Sequence, residues 1–200
     1  MSHFLFKDRD GQTPLPPELH KGLRHKNIQT MGELDEYEEE NISDGLLWLS
    51  KQNKDCLSYN FWLQLHKKLF GNVWSWAGQV RTHELNNPDF LMPHEIWPSF
   101  KKLEDDLCFW IENGTYSNLE IAARFHERLL TIHPFANGNG RFSRILIEYF
   151  CKKKNIQIPS WGISLQATPK KRREVYINAV ERARKDKKFE HLINFIFDKP

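Results

Sequence analysis

Hydrophobic residues recur every three or four positions along most of this chain, which is the spacing of an amphipathic α-helix. The two clearest stripes lie in the middle of the sequence and consist of Ile96, Phe100, Leu103, Leu107 and Trp110, and of Ile121, Phe125, Leu129 and Ile132. Pro98 falls early enough in the first stripe to be tolerated near a helix start. The pattern predicts a chain that is mostly helical.

Residues that cap helix N-termini mark where several of these helices begin. Thr30 followed by Glu33 forms a capping box, in which each side chain binds the other residue's backbone N–H, and it predicts a helix over about 31–51. Other helical patterns follow similar caps, namely Ser58, Ser117 and Thr168. We also expect helices over about 141–153 and 189–197.

Residues 79–95 break the helical pattern. They contain Asn-Asn-Pro-Asp, a turn signal, between two short runs of strand-like character. We expect a small β-hairpin here, and an extended proline-rich stretch at 13–20. The predicted fold is therefore a single all-α domain over residues 1–200 with one β-hairpin.

The composition fits one soluble domain and excludes several classes of protein. The chain has 200 residues, 40% of them hydrophobic and 28% charged, which is enough for one substantial core. It has no apolar run long enough to span a membrane and no recognisable secretory signal. Cys56, Cys108 and Cys151 form no Cys-x-x-Cys pair, so neither a disulfide framework nor a zinc ribbon is expected. These features predict a cytoplasmic protein with reduced cysteines.

Charge is distributed unevenly along the chain. Residues 33–44 carry seven acids and no base, whereas residues 151–200 carry thirteen Lys/Arg and five Asp/Glu. The basic segments KKRRE at 170–174 and RARKDKK at 182–188 could bind nucleic acid. Because apolar residues at helical spacing accompany them, we expect these segments mainly to pack on the domain, and nucleic acid is not the expected partner.

The chemistry of the chain is concentrated in HPFANGNGRFSR, residues 133–144, which we call the signature segment. His133 is a candidate base. Gly138-Asn139-Gly140 can adopt backbone angles that aim successive N–H groups into one anion-binding concavity. Arg141 and Arg144 follow one helical turn apart, and each can hold phosphate oxygens. Together these residues indicate a base that activates a hydroxyl for attack on a bound phosphoryl group.

Each of these features alone is more often structural. A glycine loop between helices can be only a turn, a histidine at a helix end only a cap, and two arginines only a solvated edge. The occurrence of all three in one ordered string favours a functional site.

The signature segment resembles that of the Fic family, His-x-Phe-x-Asp/Glu-Gly-Asn-Gly-Arg-x-x-Arg, at every fixed position except one. LHKKLFGNVWSWAGQVRT, residues 65–82, is similar to a second family hallmark, a helix followed by Trp-Ala-Gly-x-x-Arg-Thr. The hairpin predicted at 79–95 falls where the family carries its flap. The whole chain is most similar to the short Fic proteins called mobile mystery protein B.

The resemblance implies a helical Fido fold and transfer of AMP from ATP to a hydroxyl of a target protein. It makes His133 the general base. It assigns Asn139, with the N–H groups around Gly138 and Gly140, to the anion hole for the α- and β-phosphates. Arg141 would hold the β-phosphate side and Arg144 the γ-phosphate.

The resemblance also implies a cofactor and partners. Mg²⁺ would bridge the phosphates, pyrophosphate would leave, and the target would add a strand to the flap. An antitoxin-type regulator is a further partner that the family admits, and no membrane is involved. The identity of the target, the oligomeric state and a toxin or housekeeping role stay open.

Asn137 occupies the one position that departs from the family, which has an acidic residue there that orients Mg²⁺. An amide oxygen is still a hard ligand, but it is neutral and attracts the cation less. The departure predicts nucleotide binding with either retained or weakened catalysis.

Glu40 is the candidate regulatory residue. EYEEENI, residues 36–42, resembles in part the family's inhibitory motif, Ser/Thr-x-x-x-Glu-Gly/Asn, with Glu36 in place of the hydroxyl residue. In the family this glutamate pairs with the second signature arginine, here Arg144, and blocks the γ-phosphate. The alternative is that Glu40 is one of many acids on a solvated helix face.

Two further interpretations of function remain open from the sequence. The same cradle could serve the transfer of another nucleotide or of a phosphoryl group. Alternatively, the chain could be a catalytically weak nucleotide-binding regulator or a nucleic-acid-binding module. Binding to nucleic acid would fall steeply with salt and survive loss of His133, whereas enzymatic transfer would not survive that loss.

Overall fold

The computed structural model describes residues 21–165 and 167–198, which form seven α-helices. In chain order they are α1 (Met31–Ser50), α2 (Tyr59–Phe70), α3 (Ile96–Glu112), α4 (Asn118–Ile132), α5 (Asn139–Lys153), α6 (Pro169–Asp186) and α7 (Glu190–Phe197). The helical character predicted from the hydrophobic spacing is confirmed. The extended stretch predicted at 13–20 lies outside the described residues.

The helix starts coincide with the predicted caps. Thr30 Oγ1 accepts from the backbone N–H of Glu33, and the Glu33 carboxylate accepts from that of Thr30, so the capping box of α1 is complete. The other side-chain caps accept from the first turns of α2, α4 and α6, and they are Ser58, Ser117 and Thr168. These bonds satisfy N–H groups that the helices themselves leave without a partner.

The hairpin predicted at 79–95 is not observed, although the structure describes every residue of that range. None of them lies in a strand, and Pro93–Glu95 form a short 3-10 helix. Several backbone N–H groups here bind within local turns, as Phe90 N–H does with the Asn87 carbonyl oxygen at 3.2 Å. The Asn-Asn-Pro-Asp signal therefore makes a turn without a ladder beside it.

The described residues pack as two compact units. The first comprises residues 21–81 and 135–142, and its main contact joins α1 and α2. Asn41 of α1 fastens the pair, because its amide donates to the Lys68 carbonyl at 3.1 Å and accepts from Asn72 N–H at 2.8 Å. Gly45 lets the helices approach, since a Cβ there would lie 2.9 Å from the Lys68 carbonyl oxygen.

The second unit comprises residues 82–134 and 143–198, apart from residue 166. In it α4 packs against α3, α6 and α7, and α6 packs against α7. The stripe predicted for α4 is buried along its whole length, and Phe125 meets Phe150 of α5 edge to face at 5.8 Å. Among the described residues, no helix combines the length and apolar character that crossing a membrane requires.

Candidate active site

The signature segment runs from the C-terminal end of α4 through a loop into the first turns of α5. Residues 135–142 belong to the first unit, and His133 and Arg144 belong to the second. The segment therefore contributes residues to each unit, and their contacts are described unit by unit.

His133 ends α4 in a left-handed conformation, with φ 45° and ψ 59°. Its backbone N–H donates to the Leu129 carbonyl oxygen at 3.0 Å, and its Nδ1 lies 3.2 Å from the Leu130 carbonyl oxygen. Because a carbonyl only accepts, Nδ1 must carry the hydrogen in this contact. The basic nitrogen of the neutral ring is then Nε2, which is the arrangement a general base requires.

The ring of Phe90 lies parallel to the His133 imidazole, with centroids 3.7 Å apart and an interplanar angle of 17°. The next residue is also bound, since Leu91 N–H donates to the Thr131 carbonyl oxygen at 3.2 Å. The side chain predicted as the base is thus fixed at one edge by the end of α4 and covered on one face by an aromatic ring.

Asn139 closes the loop of the signature segment. Its Oδ1 accepts from Phe135 N–H at 3.0 Å and its Nδ2 donates to the Phe135 carbonyl oxygen at 2.8 Å. Asn139 is only 3% exposed. Both polar atoms of the Asn139 amide are thus engaged in shaping the loop. Its role in the anion hole stays a prediction.

The two glycines of the loop differ in their surroundings. Gly138 has φ +78°, and a Cβ there would lie 2.8 Å from the Phe70 ring. Gly140 lies in the first turn of α5, and a Cβ there would have no other heavy atom within 4 Å beyond its helix and chain neighbours. Gly138 is therefore required by the fold, whereas the small size of Gly140 leaves room for another molecule to approach the backbone.

Asn137 is exposed, and its Oδ1 accepts from the backbone N–H of Gly138 at 2.7 Å. That N–H is one of the groups predicted to bind phosphate. The amide oxygen of Asn137 therefore accepts the hydrogen bond that a bound anion would accept from Gly138 N–H. A phosphate oxygen would have to displace this amide oxygen.

His66 of α2 was not singled out from the sequence, yet it joins three parts of the first unit. Its Nδ1 accepts from Gly78 N–H at 3.0 Å, its Nε2 lies 3.1 Å from the Asn137 carbonyl oxygen, and its ring stacks on Phe135 at 3.6 Å. Burial lowers the pKa of His66 to about 3, the bond to Asn137 opposes this, and the charge of Arg141 lowers it further. A neutral ring fits its role as both acceptor and donor.

The first signature arginine, Arg141, forms an ion pair with Glu38 of α1. The same carboxylate accepts from Trp74 Nε1 at 2.7 Å, and the Arg141 guanidinium lies 4.9 Å from the centroid of the Phe70 ring. Glu38 is 4% exposed. Charge-assisted bonds of this kind fix both position and orientation.

The structure assigns Glu38, rather than Glu40, to a signature arginine. Glu40 is exposed and lies two residues further along α1, on a different face of the helix. Glu38 lies in the same acidic helix as Glu40 but was not singled out from the sequence. The inhibitory role of Glu40 stays a prediction.

The second signature arginine, Arg144, lies in an aromatic environment within the second unit. Its guanidinium is 4.7 Å from the centroid of the Tyr176 ring and 5.7 Å from that of Trp161, and it hydrogen-bonds the Tyr176 side chain. The Tyr176 hydroxyl also lies 2.9 Å from Nε2 of His126. Burial, with the charge of Arg144, lowers the pKa of His126 to about 3 and so keeps this ring neutral.

The described residues offer little to a resident metal ion. No group of three His, Cys, Asp or Glu side chains among them could hold one. Asn137, the predicted contact, supplies one neutral oxygen that is engaged with Gly138 N–H. This donor set does not fit a metal held by the chain alone, because Mg²⁺ prefers several oxygen ligands with at least one carboxylate.

A cavity of about 530 Å³ lies in the second unit and includes no residue of the signature segment. Its lining combines polar and apolar side chains of α6, α7 and their neighbourhood, namely Ser164, Leu165, Val175, Asn178, Ala179, Arg182, His191, Asn194, Phe195 and Asp198. None of the residues predicted for the site from the sequence lines this cavity.

Residues 56–151 match the model of the Fic/DOC family. The chain is 31% identical over 105 residues to "Protein adenylyltransferase fic-1" of Caenorhabditis elegans, a match that covers 50% of this chain and 20% of the relative. It is 26% identical over 141 residues to "Probable protein adenylyltransferase y4lH" of Sinorhizobium fredii, covering 66% of this chain and 70% of that protein. The chain thus spans about a fifth of the first relative's length.

Solved structures share the fold. The N-terminal Fic domain of a cell filamentation protein from Bartonella quintana, solved with bound ADP, superposes with a TM-score of 0.65 at 19% identity. The match covers 90% of this chain and 94% of that one. The more specific likeness to mobile mystery protein B is untested by these matches and stays a prediction.

Proposed function

Residues 56–151 of this chain belong to the Fic/DOC family, and we propose that the protein transfers AMP from ATP to a hydroxyl side chain of a target protein. The observation that carries the proposal is the orientation of His133. Its Nδ1 faces the Leu130 carbonyl oxygen, so its basic nitrogen is Nε2. A base with a fixed tautomer directly before a glycine loop and two arginines suits phosphate chemistry.

In the proposed reaction the target hydroxyl gives its proton to Nε2 of His133 while its oxygen attacks the α-phosphorus of ATP. A new P–O bond forms to the target. The bond from the α-phosphorus to the α,β-bridging oxygen breaks, and pyrophosphate leaves with that electron pair. The proton taken by His133 is released to solvent, which returns the base to its neutral form.

The phosphates would lie along the start of α5. The N–H groups around Gly138 and Gly140 belong to the loop that the Asn139 amide holds closed, at the start of α5. The N-terminus of a helix favours an anion, because its first N–H groups have no partner within the helix. A phosphate oxygen would displace Asn137 Oδ1 from Gly138 N–H. Arg141 would serve the β-phosphate side and Arg144 the γ-phosphate. The ADP bound to the Bartonella quintana domain supports a nucleotide ligand.

Mg²⁺ would supply charge neutralisation of the phosphates when it enters with ATP. Because the chain offers only the neutral oxygen of Asn137 there, we propose that the nucleotide, and not the protein, carries the ion. Asn137→Asp would add the missing charge, so less Mg²⁺ should be needed for half-maximal activity.

The target segment would bind along residues 79–95. These residues form turns and not a hairpin, so strand addition would require them to extend when the target binds. An antitoxin-type regulator would be a second protein partner of the same domain.

Regulation by α1 is part of the proposal, and two glutamates are candidates. Glu40 matches the partial inhibitory motif, whereas Glu38 is the one that pairs with Arg141. A carboxylate on that guanidinium competes with a phosphate oxygen for the same donors. Glu38→Gln should therefore raise transfer if the pair is a brake, and lower it if the pair only orients Arg141.

The experiment uses wild type, Glu38→Gln, Glu40→Gly and each of these variants combined with His133→Ala. Each protein is incubated with Mg²⁺ and ATP labelled at the α- or the γ-phosphate, alone and with a cell lysate. Transfer of the α-label with an AMP-sized gain in mass, lost with His133, supports the proposal. The more active glutamate variant identifies the brake.

Other results of the same experiment would favour the alternatives. Transfer of the γ-label alone would indicate a phosphoryl transferase. If ATP gives no label but another nucleotide does, that nucleotide is the donor. Salt-sensitive binding of nucleic acid that survives His133→Ala, without any transfer, would favour a binding module.

A further inference from the structure

Arg184 of α6 connects α4 with the segment that carries Phe90. Its Nη1 lies 2.9 Å from Asp89 Oδ2, its Nε donates to Thr131 Oγ1 at 3.0 Å, and the same Nε lies 3.6 Å from Glu127 Oε1. Thr131 in turn donates to Glu127 Oε1 at 2.7 Å. One guanidinium thus ties together residues of three segments of the second unit.

This network is largely removed from solvent. The side chain of Arg184 is 16% exposed and that of Glu127 is 3% exposed, whereas that of Asp89 is 38% exposed. A buried arginine between two carboxylates keeps its geometry. Any N–H group that left its carboxylate would find no water to bind, which costs free energy. Arg184 is therefore a fixed point to which the more exposed Asp89 is attached.

Phe90 is held on both sides by this arrangement. Before it, Asp89 is bound to Arg184 and its N–H donates to Asn87 Oδ1 at 2.9 Å. After it, Leu91 N–H donates to the Thr131 carbonyl oxygen. With its neighbours fixed, the aromatic ring can lie flat on the His133 imidazole at 3.7 Å.

We infer that Phe90 is a positioning residue for the base His133, and that Arg184 acts on the base through Asp89 and Phe90. The inference rests on the proposed role of His133. Leu130 fixes the edge of the imidazole and Phe90 fixes its plane, so Nε2 keeps one direction toward the target hydroxyl.

The first test uses the free protein and needs no activity. Imidazole ¹⁵N chemical shifts of His133 are recorded above its titration range in wild type, Phe90→Leu, Phe90→Tyr and Phe109→Leu. Phe109 is an exposed phenylalanine, at 58%, and provides the matched control. We expect one dominant Nδ1–H tautomer in wild type, Phe90→Tyr and Phe109→Leu, and a mixture of tautomers in Phe90→Leu. A wild-type spectrum in Phe90→Leu would overturn the inference.

The second test separates positioning from binding. Phe90→Leu should lower kcat for AMP transfer about tenfold or more while KM for ATP changes less than about twofold. Phe90→Tyr should restore kcat. Arg184→Lys should lower kcat in wild type but add nothing in Phe90→Leu, because both act on the same ring. Equal losses in the two backgrounds would overturn the role of Arg184.

The two tests also distinguish this inference from the proposed function. If neither wild type nor the glutamate variants transfer AMP but Phe90→Leu still mixes the His133 tautomers, the proposed function fails and the positioning contact stands. If AMP transfer is found and Phe90→Leu matches wild type in both tests, the proposed function stands and the inference fails.

Discussion

His66 and Asn137 are 71 residues apart in sequence, and Nε2 of His66 lies 3.1 Å from the backbone oxygen of Asn137. On its other side the same ring accepts from Gly78 N–H. The helix before the Trp-Ala-Gly hallmark and the signature loop are thus joined through one buried imidazole. The consequence is that the shape of the loop depends on the charge state of a residue outside it.

Acid should destabilise the protein through His66. Its pKa is about 3 in the folded protein, against 6.5 for an ordinary histidine, chiefly because the ring is buried. Between these values the unfolded chain binds the proton more readily, so the stability contributed above pH 6.5 is lost as pH falls toward 3. At pH 5 we expect a loss of about 2 kcal/mol from this residue, measured by urea unfolding at pH 7.5 and 5.

A variant without the titrating ring provides the control for that prediction. His66→Gln can still donate to the Asn137 carbonyl but does not titrate. Its unfolding free energy should be lower than that of wild type at pH 7.5 and should change less between pH 7.5 and pH 5. An unchanged pH dependence in His66→Gln would show that His66 is not the group responsible.

Glu38→Gln should lower the free energy of unfolding by about 2 kcal/mol, because it leaves the largely buried guanidinium of Arg141 without its counter-charge. The amide oxygen of the substituted side chain can still accept from Trp74 Nε1, and the side chain keeps its size. The loss of stability therefore measures the missing carboxylate charge and not a change in packing. The exposed neighbour Glu39 gives a matched control, and Glu39→Gln should change the stability by less than about 0.5 kcal/mol. Equal effects at the two positions would contradict the buried pair.

Gly138→Ala and Gly140→Ala should have opposite consequences. At Gly138 a methyl group would press on the Phe70 ring in a left-handed backbone, so we expect a loss of about 1–3 kcal/mol in unfolding free energy. At Gly140 the methyl group enters open space on a helix and should leave the melting temperature unchanged or slightly higher.

Gly140→Ala should also affect nucleotide binding. If phosphate approaches the backbone at Gly140, Gly140→Ala should weaken ATP binding at least about tenfold in calorimetry, although the protein is fully folded. Wild-type affinity in Gly140→Ala would mean that the phosphates bind elsewhere.

Tyr176→Phe should disturb both of the groups that share its hydroxyl. His126 is buried and would lose the partner of Nε2, which should cost about 1–2 kcal/mol of stability. Arg144 would lose one of the bonds that orient it, so ATP binding should weaken. In an Arg144→Ala background the same change should still lower the melting temperature but should no longer affect ATP binding.

Helix positions could be predicted from the sequence because caps and hydrophobic stripes are local signals. Thr30, Ser58, Ser117 and Thr168 each cap the helix that was expected after them. The hairpin predicted at 79–95 required two segments to pair through backbone hydrogen bonds. A turn signal alone does not establish such a ladder between strands.

The side chains that arrange the site were harder to predict. Seven acids crowd residues 33–44, and motif spacing favoured Glu40. Helical phase would have favoured Glu38, which lies between the buried residues Leu34 and Asn41 on the same face of α1. His66 could have been noticed in the same way, beside the buried residues Leu65 and Leu69. No local pattern predicts the contact of Arg184 with Asp89, 95 residues away.

The paired bonds between the Asn139 amide and the backbone of Phe135 resemble those of a base pair. They form when the chain folds, so the conformational entropy of the loop is lost at that stage and not when a nucleotide arrives. A nucleotide bound as proposed would therefore meet a loop whose backbone is already closed. It would have to displace Asn137 Oδ1 from Gly138 N–H and compete with Glu38 for Arg141, but little of its binding free energy would go into ordering the backbone.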